Sequence, residues 1–175
     1  AVRCTGPPDA SRPCFIDVEF VPNVSLGHTF LYLIGVWYEG TQYQWMASGP
    51  DDEQTPLRQC AAWFQRHRPT AVVHWSSADP VHMASAWRRC VPDNPNPFST
   101  WPWWDLMQAL IRARAAWPGC FGYKLKNVAR ALGCTGYLEL DCATAMDSVV
   151  LALKHYGWWC KGVEYTRPPK DALLE

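Results

Sequence analysis

The 175-residue chain lacks the features that define several large classes of protein. No apolar run approaches the roughly 18 residues that cross a bilayer, and no secretory signal peptide is recognisable. There is no Cys-x-x-Cys pair and no histidine pair with zinc-finger spacing. A phosphate-binding glycine loop, a dinucleotide fingerprint and a serine-hydrolase elbow are also missing. We therefore expect neither a membrane protein, a zinc finger, a nucleotide-binding fold nor a serine hydrolase.

A strong net charge is missing as well, because Lys/Arg and Asp/Glu each number 16. No global positive field therefore points to nucleic acid. The charges are unevenly placed, since acids dominate residues 1–53 and basic residues dominate residues 54–170. That division is consistent with a metal site facing a polyanion, and it is also consistent with a chance distribution of charges.

The eight cysteines allow two interpretations, a disulfide framework or free thiols. Free thiols are favoured because the chain is long enough to bury a core without covalent staples, and the cysteines are widely spaced. Cys14 and Cys134 also lie inside apolar patterns, where a buried thiol is common. We therefore expect an intracellular protein of the cytoplasm or nucleus, including those of an infected host cell. A secreted disulfide module is the alternative.

Residues 14–20 read as a buried strand that carries two acids. Phe15, Ile16, Val18 and Phe20 favour an apolar setting, whereas Asp17 and Glu19 are two residues apart and share one face of a strand. Like charges on one face are unfavourable unless a cation lies between them. A hard divalent cation is the usual partner of such carboxylates. A solvated edge strand is the alternative.

The rest of the pattern predicts an α/β fold with a mixed central sheet, led by an antiparallel three-strand meander and flanked by helices. Residues 1–13 are expected to form an irregular arm before a domain at 14–175. In such sheets the site lies off the strand ends, which brings residues 14–20 close to the turn at 75–79. The predicted elements are strands at 14–20, 30–39, 42–47 and 70–75, and helices at 51–68, 80–90, 104–117, 124–132 and 142–158.

Asp79 follows the fourth predicted strand, where a loop acid can reach toward the first strand. Two-metal phosphoryl transfer needs carboxylates from separate segments that converge on ions about 3.5–4 Å apart. Asp17, Glu19 and Asp79 are the minimum sign of such a site. The alternative is that Asp79 caps a helix, since Pro80 would fit the first helical position.

An ordered set of segments resembles a known family. The segments are FIDVEF, TFLYLIGVWYEG, VVHWSSADP, WPWWDLMQAL, GCFGYKLKNVARALG and ATAMDSVVLA, within residues 14–158. In this order they resemble the RNase H-like predicted 3′–5′ exonucleases of the DEDD superfamily, in the branch found in bacterial and large-virus proteins. The resemblance implies an RNase H-like fold and a two-metal nuclease that uses Mg²⁺ or Mn²⁺. Its substrate would be DNA or RNA, single-stranded or at an end.

The resemblance assigns roles to individual residues. Asp17 and Glu19 match the first motif, and Asp79 falls where the acid of the second motif is expected. Asp105 matches an acid at the start of a helix that borders the cleft, although capping that helix is the simpler role. Lys126 matches a lysine that often faces the site, where it could hold a phosphate or simply be solvated.

The fourth acid of the family has no secure match. Asp141 follows Tyr137 with suitable spacing but precedes the late helix, and Asp147 lies on that helix within a stretch that matches non-catalytic residues. We expect the fourth carboxylate to be absent from this chain, through truncation or decay, which would leave a second ion weakly bound. The alternative function is an inactive RNase H-like module that binds nucleic acid or a protein partner within a larger replication or repair protein.

Tryptophan is abundant, at 11 residues, and aromatic rings can stack on unpaired bases. Trp101, Trp103 and Trp104 follow the proline-rich loop and are the candidates for such stacking. The alternative is that these rings close the edge of the core.

Overall fold

A computed structural model of the chain describes residues 6–7, 9–23, 28–49, 51–118 and 120–134. The predictions for Asp141, Asp147 and the late helix lie outside these residues. Within them the chain alternates strands and helices, with one 3₁₀ turn at Pro97–Thr100. The elements are β1 (Pro13–Asn23), β2 (His28–Tyr38), β3 (Thr41–Met46), α1 (Gln54–His67), β4 (Ala71–His74), α2 (Ala78–Cys90), β5 (Trp103–Asp105), α3 (Leu106–Arg112) and α4 (Leu125–Ala131).

The strands form one mixed five-stranded sheet in the order β3-β2-β1-β4-β5. β1, β2 and β3 pair antiparallel, whereas β1, β4 and β5 run parallel. The predicted α/β architecture, with its leading antiparallel meander, is confirmed. β1 lies at the centre, so the strand that carries the two acids is flanked by β2 and β4.

Alternation along β1 separates a core face from an open face. Cys14, Ile16 and Val18 are at most 5% exposed and pack into the main hydrophobic cluster, so Phe15 and Asp17 point the other way. Helices α1 and α2 cover the core face, and each large apolar side chain buried there contributes roughly 1.5–3 kcal/mol. The helices contribute the buried residues Leu57, Cys60, Trp63, Met83, Ala86 and Trp87.

The fifth strand corrects one prediction. Residues 104–117 were expected to be helical from Trp104, but Trp103–Asp105 pair with β4 and the helix that follows ends at Arg112. The cause is tertiary, because the exposed edge of β4 offers a parallel ladder to a segment about thirty residues further along the chain. Local periodicity carries no sign of that partner.

The described cysteines are all free thiols, as the interpretation without disulfides predicts. Cys14 and Cys60 are buried, and burial raises the pKa of the Cys14 thiol to about 12, so both remain protonated and unreactive. Over the part of the chain that the structure covers, no helix is both long and apolar enough to cross a membrane.

Candidate active site

Asp17 and Glu19 project into a cleft of about 600 Å³ on the open face of the sheet. The floor of this cleft consists of side chains from β1, β2 and β3, and the strand register decides which of them are neighbours. Asp17 lies opposite Gly35, and Gly35 lies opposite Gln44. Because Gly35 has no side chain, the floor beside the Asp17 carboxylate stays open. The walls come from β4 and the two short helices, through Val73, His74, Trp75, Leu106 and Leu125.

Asp79 is the second residue of α2 and is only 4% exposed. The helix is capped at Ser77, so Asp79 does not occupy the capping position that was its alternative role. Burial raises the pKa of Asp79 to about 7, with a further contribution from the negative charge of Asp17. Backbone hydrogen bonds from Val18 and Trp75 act in the opposite direction. The fold therefore brings the acid of α2 next to the acid of β1.

The Asp17 carboxyl faces the open cleft, yet the surrounding protein still disfavours its charge. Burial of the group raises its pKa to about 6, and the neighbouring Glu19 carboxylate adds to the shift. Three acids from two segments thus share one region, and charging them together is costly. A cation placed among them would remove that cost.

The donor chemistry fits a hard divalent cation such as Mg²⁺ or Mn²⁺, because carboxylate oxygens are the preferred ligands of these ions. In the described ranges, however, no three His, Cys, Asp or Glu side chains converge closely enough to hold a metal ion. Asp17, Glu19 and Asp79 therefore offer suitable ligand atoms, but their side chains as placed do not form a three-ligand metal site.

Comparison with known proteins decides the family. The model of the RNase_H superfamily matches residues 14–155, which span all five strands of the sheet. The chain belongs to the RNase_H superfamily. No curated protein matches it.

Among solved structures, this RNase_H superfamily chain is similar to the EXO domain of Nibbler from Aedes aegypti. The TM-score is 0.49 at 12% identity, over 80% of this chain and 72% of that domain. It is also similar to the family B DNA polymerase of the hyperthermophilic archaeon Pyrobaculum calidifontis. There the TM-score is 0.40 at 17% identity, over 50% of this chain, which spans only 12% of the polymerase. The family assignment rests on the sequence match alone.

The two other candidates of this RNase_H superfamily domain, Asp105 and Lys126, lie at the two short helices beside the cleft. The Asp105 carboxylate caps α3, accepting from the amide of Gln108 at 2.9 Å and from the amide of Ser76 at 3.3 Å. It ties the elbow after β4 to the end of β5. Lys126 lies exposed on α4, next to Leu125, which lines the cleft.

The three tryptophans proposed to stack on bases divide into two groups. Trp101 is 7% exposed, stacks on Phe64 with ring centroids 4.1 Å apart and meets Phe98 edge-on. Trp103 packs against the same core and donates its indole N–H to the Phe98 carbonyl. Base stacking therefore does not apply to Trp101 or Trp103, whose rings close the core edge. Trp104 pairs in register with Val73 and lies on the cleft face.

Sequence reasoning missed four other residues on the cleft floor. Phe15 and Trp37 are about half exposed there, with Gln42 and Gln44 beside them. The period of two in a strand assigns each of these residues to the face away from the helices, Phe15 from β1, Trp37 from β2, and Gln42 and Gln44 from β3. Because the sequence of β2 is apolar at almost every position, it does not show which face of the strand lies open.

Proposed function

We propose that this chain is a metal-dependent nuclease that hydrolyses phosphodiester bonds of DNA or RNA as a 3′–5′ exonuclease. The observation that carries the proposal is that the Asp79 carboxyl, at the start of α2, lies close enough to Asp17 on β1 for the two charges to repel, and both carboxyl pKa values are raised. Neighbouring acids whose pKa values are raised by desolvation and by like charge are candidates for a functional site. Membership of the RNase_H superfamily supports the same conclusion.

Asp17, Glu19 and Asp79 would hold Mg²⁺ or Mn²⁺ between β1 and the start of α2. A bound divalent ion supplies a water of lowered pKa and stabilises charge on the leaving oxygen. The protein residues supply position: β1 and α2 are anchored in the core through Ile16, Val18 and Met83. A two-metal mechanism needs a fourth acid, for which Asp141 and Asp147 remain candidates. Lys126 is a candidate phosphate ligand at the rim.

The test uses single-stranded DNA and RNA labelled at the 5′ end, with Mn²⁺, with Mg²⁺ and with EDTA. The wild type is expected to shorten the labelled strand stepwise in the presence of either ion only. Asp17→Asn and Asp79→Asn should lower the rate at least about 100-fold, since each removes a metal ligand. Asp93→Asn, an exposed acid outside the cleft, is the matched control. No cleavage by concentrated wild-type protein, or full activity in Asp17→Asn, would overturn the proposal.

One observation favours a second function. Since no three metal-binding side chains converge in the described part of the chain, a catalytically inactive module is the alternative. It would bind nucleic acid, or a protein partner, as one domain of a larger replication or repair protein. Binding of single strands without hydrolysis under any metal condition would select this function.

A further inference from the structure

Part of the cleft floor has no role in the proposed chemistry. Phe15 lies opposite Trp37 in the β1–β2 register, and Trp37 lies opposite Gln42 in the β2–β3 register. Phe15 is 48% exposed and Trp37 is 51% exposed, so both rings present apolar surface to the cleft. We call Phe15, Trp37, Gln42 and Gln44 the aromatic platform.

The aromatic platform is continuous with the acids. Phe15 and Asp17 are two residues apart on β1, which places their rows about 7 Å apart on one face. Gln44 belongs to the Asp17 row through Gly35, and the missing side chain at Gly35 leaves no wall between the amide and the carboxylate. The rings therefore lie one row away from Asp17 on the same face of the sheet.

The chemistry of the aromatic platform suits an unpaired base. The two rings offer apolar faces, and the glutamine amides offer both donors and acceptors to a base edge. A base pair inside a duplex hides its faces, so only a single strand can use such a surface. Leu125, on the wall of the same cleft, lies between exposed Lys124 and Lys126, whose positive charge suits the phosphate backbone.

We propose that the aromatic platform binds an unpaired base of a single-stranded nucleic acid, one nucleotide away from the phosphodiester bond that a cation at Asp17 and Glu19 would hold. Trp104 extends the same row through Val73, which pairs with both Trp104 and Phe15. The position of the base relative to the cleaved bond rests on the proposed function, whereas binding of the single strand does not.

The first measurement is the affinity for a 5′-labelled single-stranded oligonucleotide in EDTA, where no hydrolysis occurs. Trp37→Leu keeps an apolar strand residue without an aromatic face and should weaken binding about 10-fold. Trp37→Phe keeps the face and should restore affinity to within about 3-fold of the wild type. Phe121→Leu removes an aromatic ring that is 87% exposed away from the cleft and is the matched control.

A double-mutant cycle that combines Trp37→Leu with abasic oligonucleotides shows which nucleotide contacts Trp37. An abasic nucleotide next to the 3′-terminal one should weaken wild-type binding as much as Trp37→Leu does, and the two losses should not add. An abasic nucleotide at the 5′ end should have no such coupling. Additive losses at every position overturn the proposal.

Other occupants of the aromatic platform would give different results. If another part of the chain or a second copy covers the rings, Trp37→Leu will lower the melting temperature or the apparent mass and leave affinity unchanged, which overturns the proposal. Wild-type binding that is no tighter for a single strand than for a blunt duplex also overturns it. Tight, Trp37-dependent binding without any hydrolysis would overturn the proposed nuclease function and leave this inference standing.

Discussion

Two carboxylates in this protein are equally buried and have opposite surroundings. Glu53 and Asp79 are each 4% exposed, and each lies at the start of a helix that packs on the sheet. Glu53 meets a cation, whereas Asp79 meets another acid. The depth of burial therefore does not show which acid the fold neutralises, but the charge beside each acid does.

Glu53 is the centre of a structural network. Both of its oxygens accept from the Arg89 guanidinium at 2.6 Å, and one accepts from the amide of Leu31 at 2.7 Å. Arg89 also donates to the carbonyl of Thr29 at 2.8 Å, and Cys90 Sγ donates to Glu53 at 3.2 Å. The network joins the start of α1, the beginning of β2 and the end of α2.

No cation is among the causes of the Asp79 pKa shift. Burial and the charge of Asp17 raise the pKa, and hydrogen bonds from backbone amides lower it. The folded protein therefore bears a cost at Asp79 that Glu53 does not impose. An acid that keeps such a cost is a candidate for binding a cation, and this contrast leads to the following predictions.

The largest expected effect comes from breaking the Glu53 network. Glu53→Ala leaves the partly buried Arg89 without its carboxylate partner, and it leaves the Leu31 amide without its hydrogen-bond acceptor. We expect the free energy of unfolding to fall by about 2–4 kcal/mol. Urea denaturation measures it. Gln59→Ala, an exposed change on the same helix, should stay within about 0.5 kcal/mol of the wild type. A loss below about 1 kcal/mol for Glu53→Ala would contradict the structural role.

Replacing Asp79 is expected to raise the free energy of unfolding instead of lowering it. Asp79→Asn keeps the shape and one acceptor oxygen while removing the charge, so at pH 8 without divalent ions the variant should be more stable by roughly 1–3 kcal/mol. Nuclease activity should be lost in the same variant. Denaturation in EDTA checks the first result, and a destabilised Asp79→Asn protein at pH 8 would be inconsistent with an unneutralised acid.

The stability difference should depend on pH in a defined window. The pKa of Asp79 is raised from 3.8 to about 7 in the folded state, so the protonated group stabilises the fold below the unfolded value. That contribution is lost as the pH rises through about 7. Asp79→Asn and the wild type should therefore have similar melting temperatures near pH 4 and diverge progressively up to pH 8. A constant difference from pH 4 to pH 8 would assign the effect to packing instead of charge.

The smallest effect is expected at Asp105, a half-buried acid whose carboxylate caps α3. Asp105→Ala should cost about 1 kcal/mol, and Asp105→Ser should recover most of that loss because a hydroxyl can also accept from the Gln108 amide. Thermal denaturation compares the two variants. If Asp105→Ser is stable but has lost nuclease activity, the carboxylate acts in the cleft as well as at the helix end.

Local patterns in the sequence were sufficient for much of this protein. The alternation in residues 14–20 predicted a strand with two acids on one face. The sequence after 70–75 predicted an acid in the turn before a helix, and the structure places that acid, Asp79, at the second residue of α2. The three-strand meander also followed from short-range signals, because hairpin partners are close in the chain. These are features that a residue and its near neighbours specify through backbone preference and periodicity.

Only the tertiary structure decided the contacts between distant segments. β5 forms because β4 offers a free edge. The charge of Glu53 is balanced because Arg89, 36 residues later in the chain, contacts it. The register of β1 against β2 places Phe15 beside Trp37, and these two apolar side chains form the rings of the aromatic platform instead of part of the core. The sequence by itself predicted the fold and singled out the candidate acids. The assembled sheet decided what surrounds them, because strand register and helix packing depend on the whole sheet.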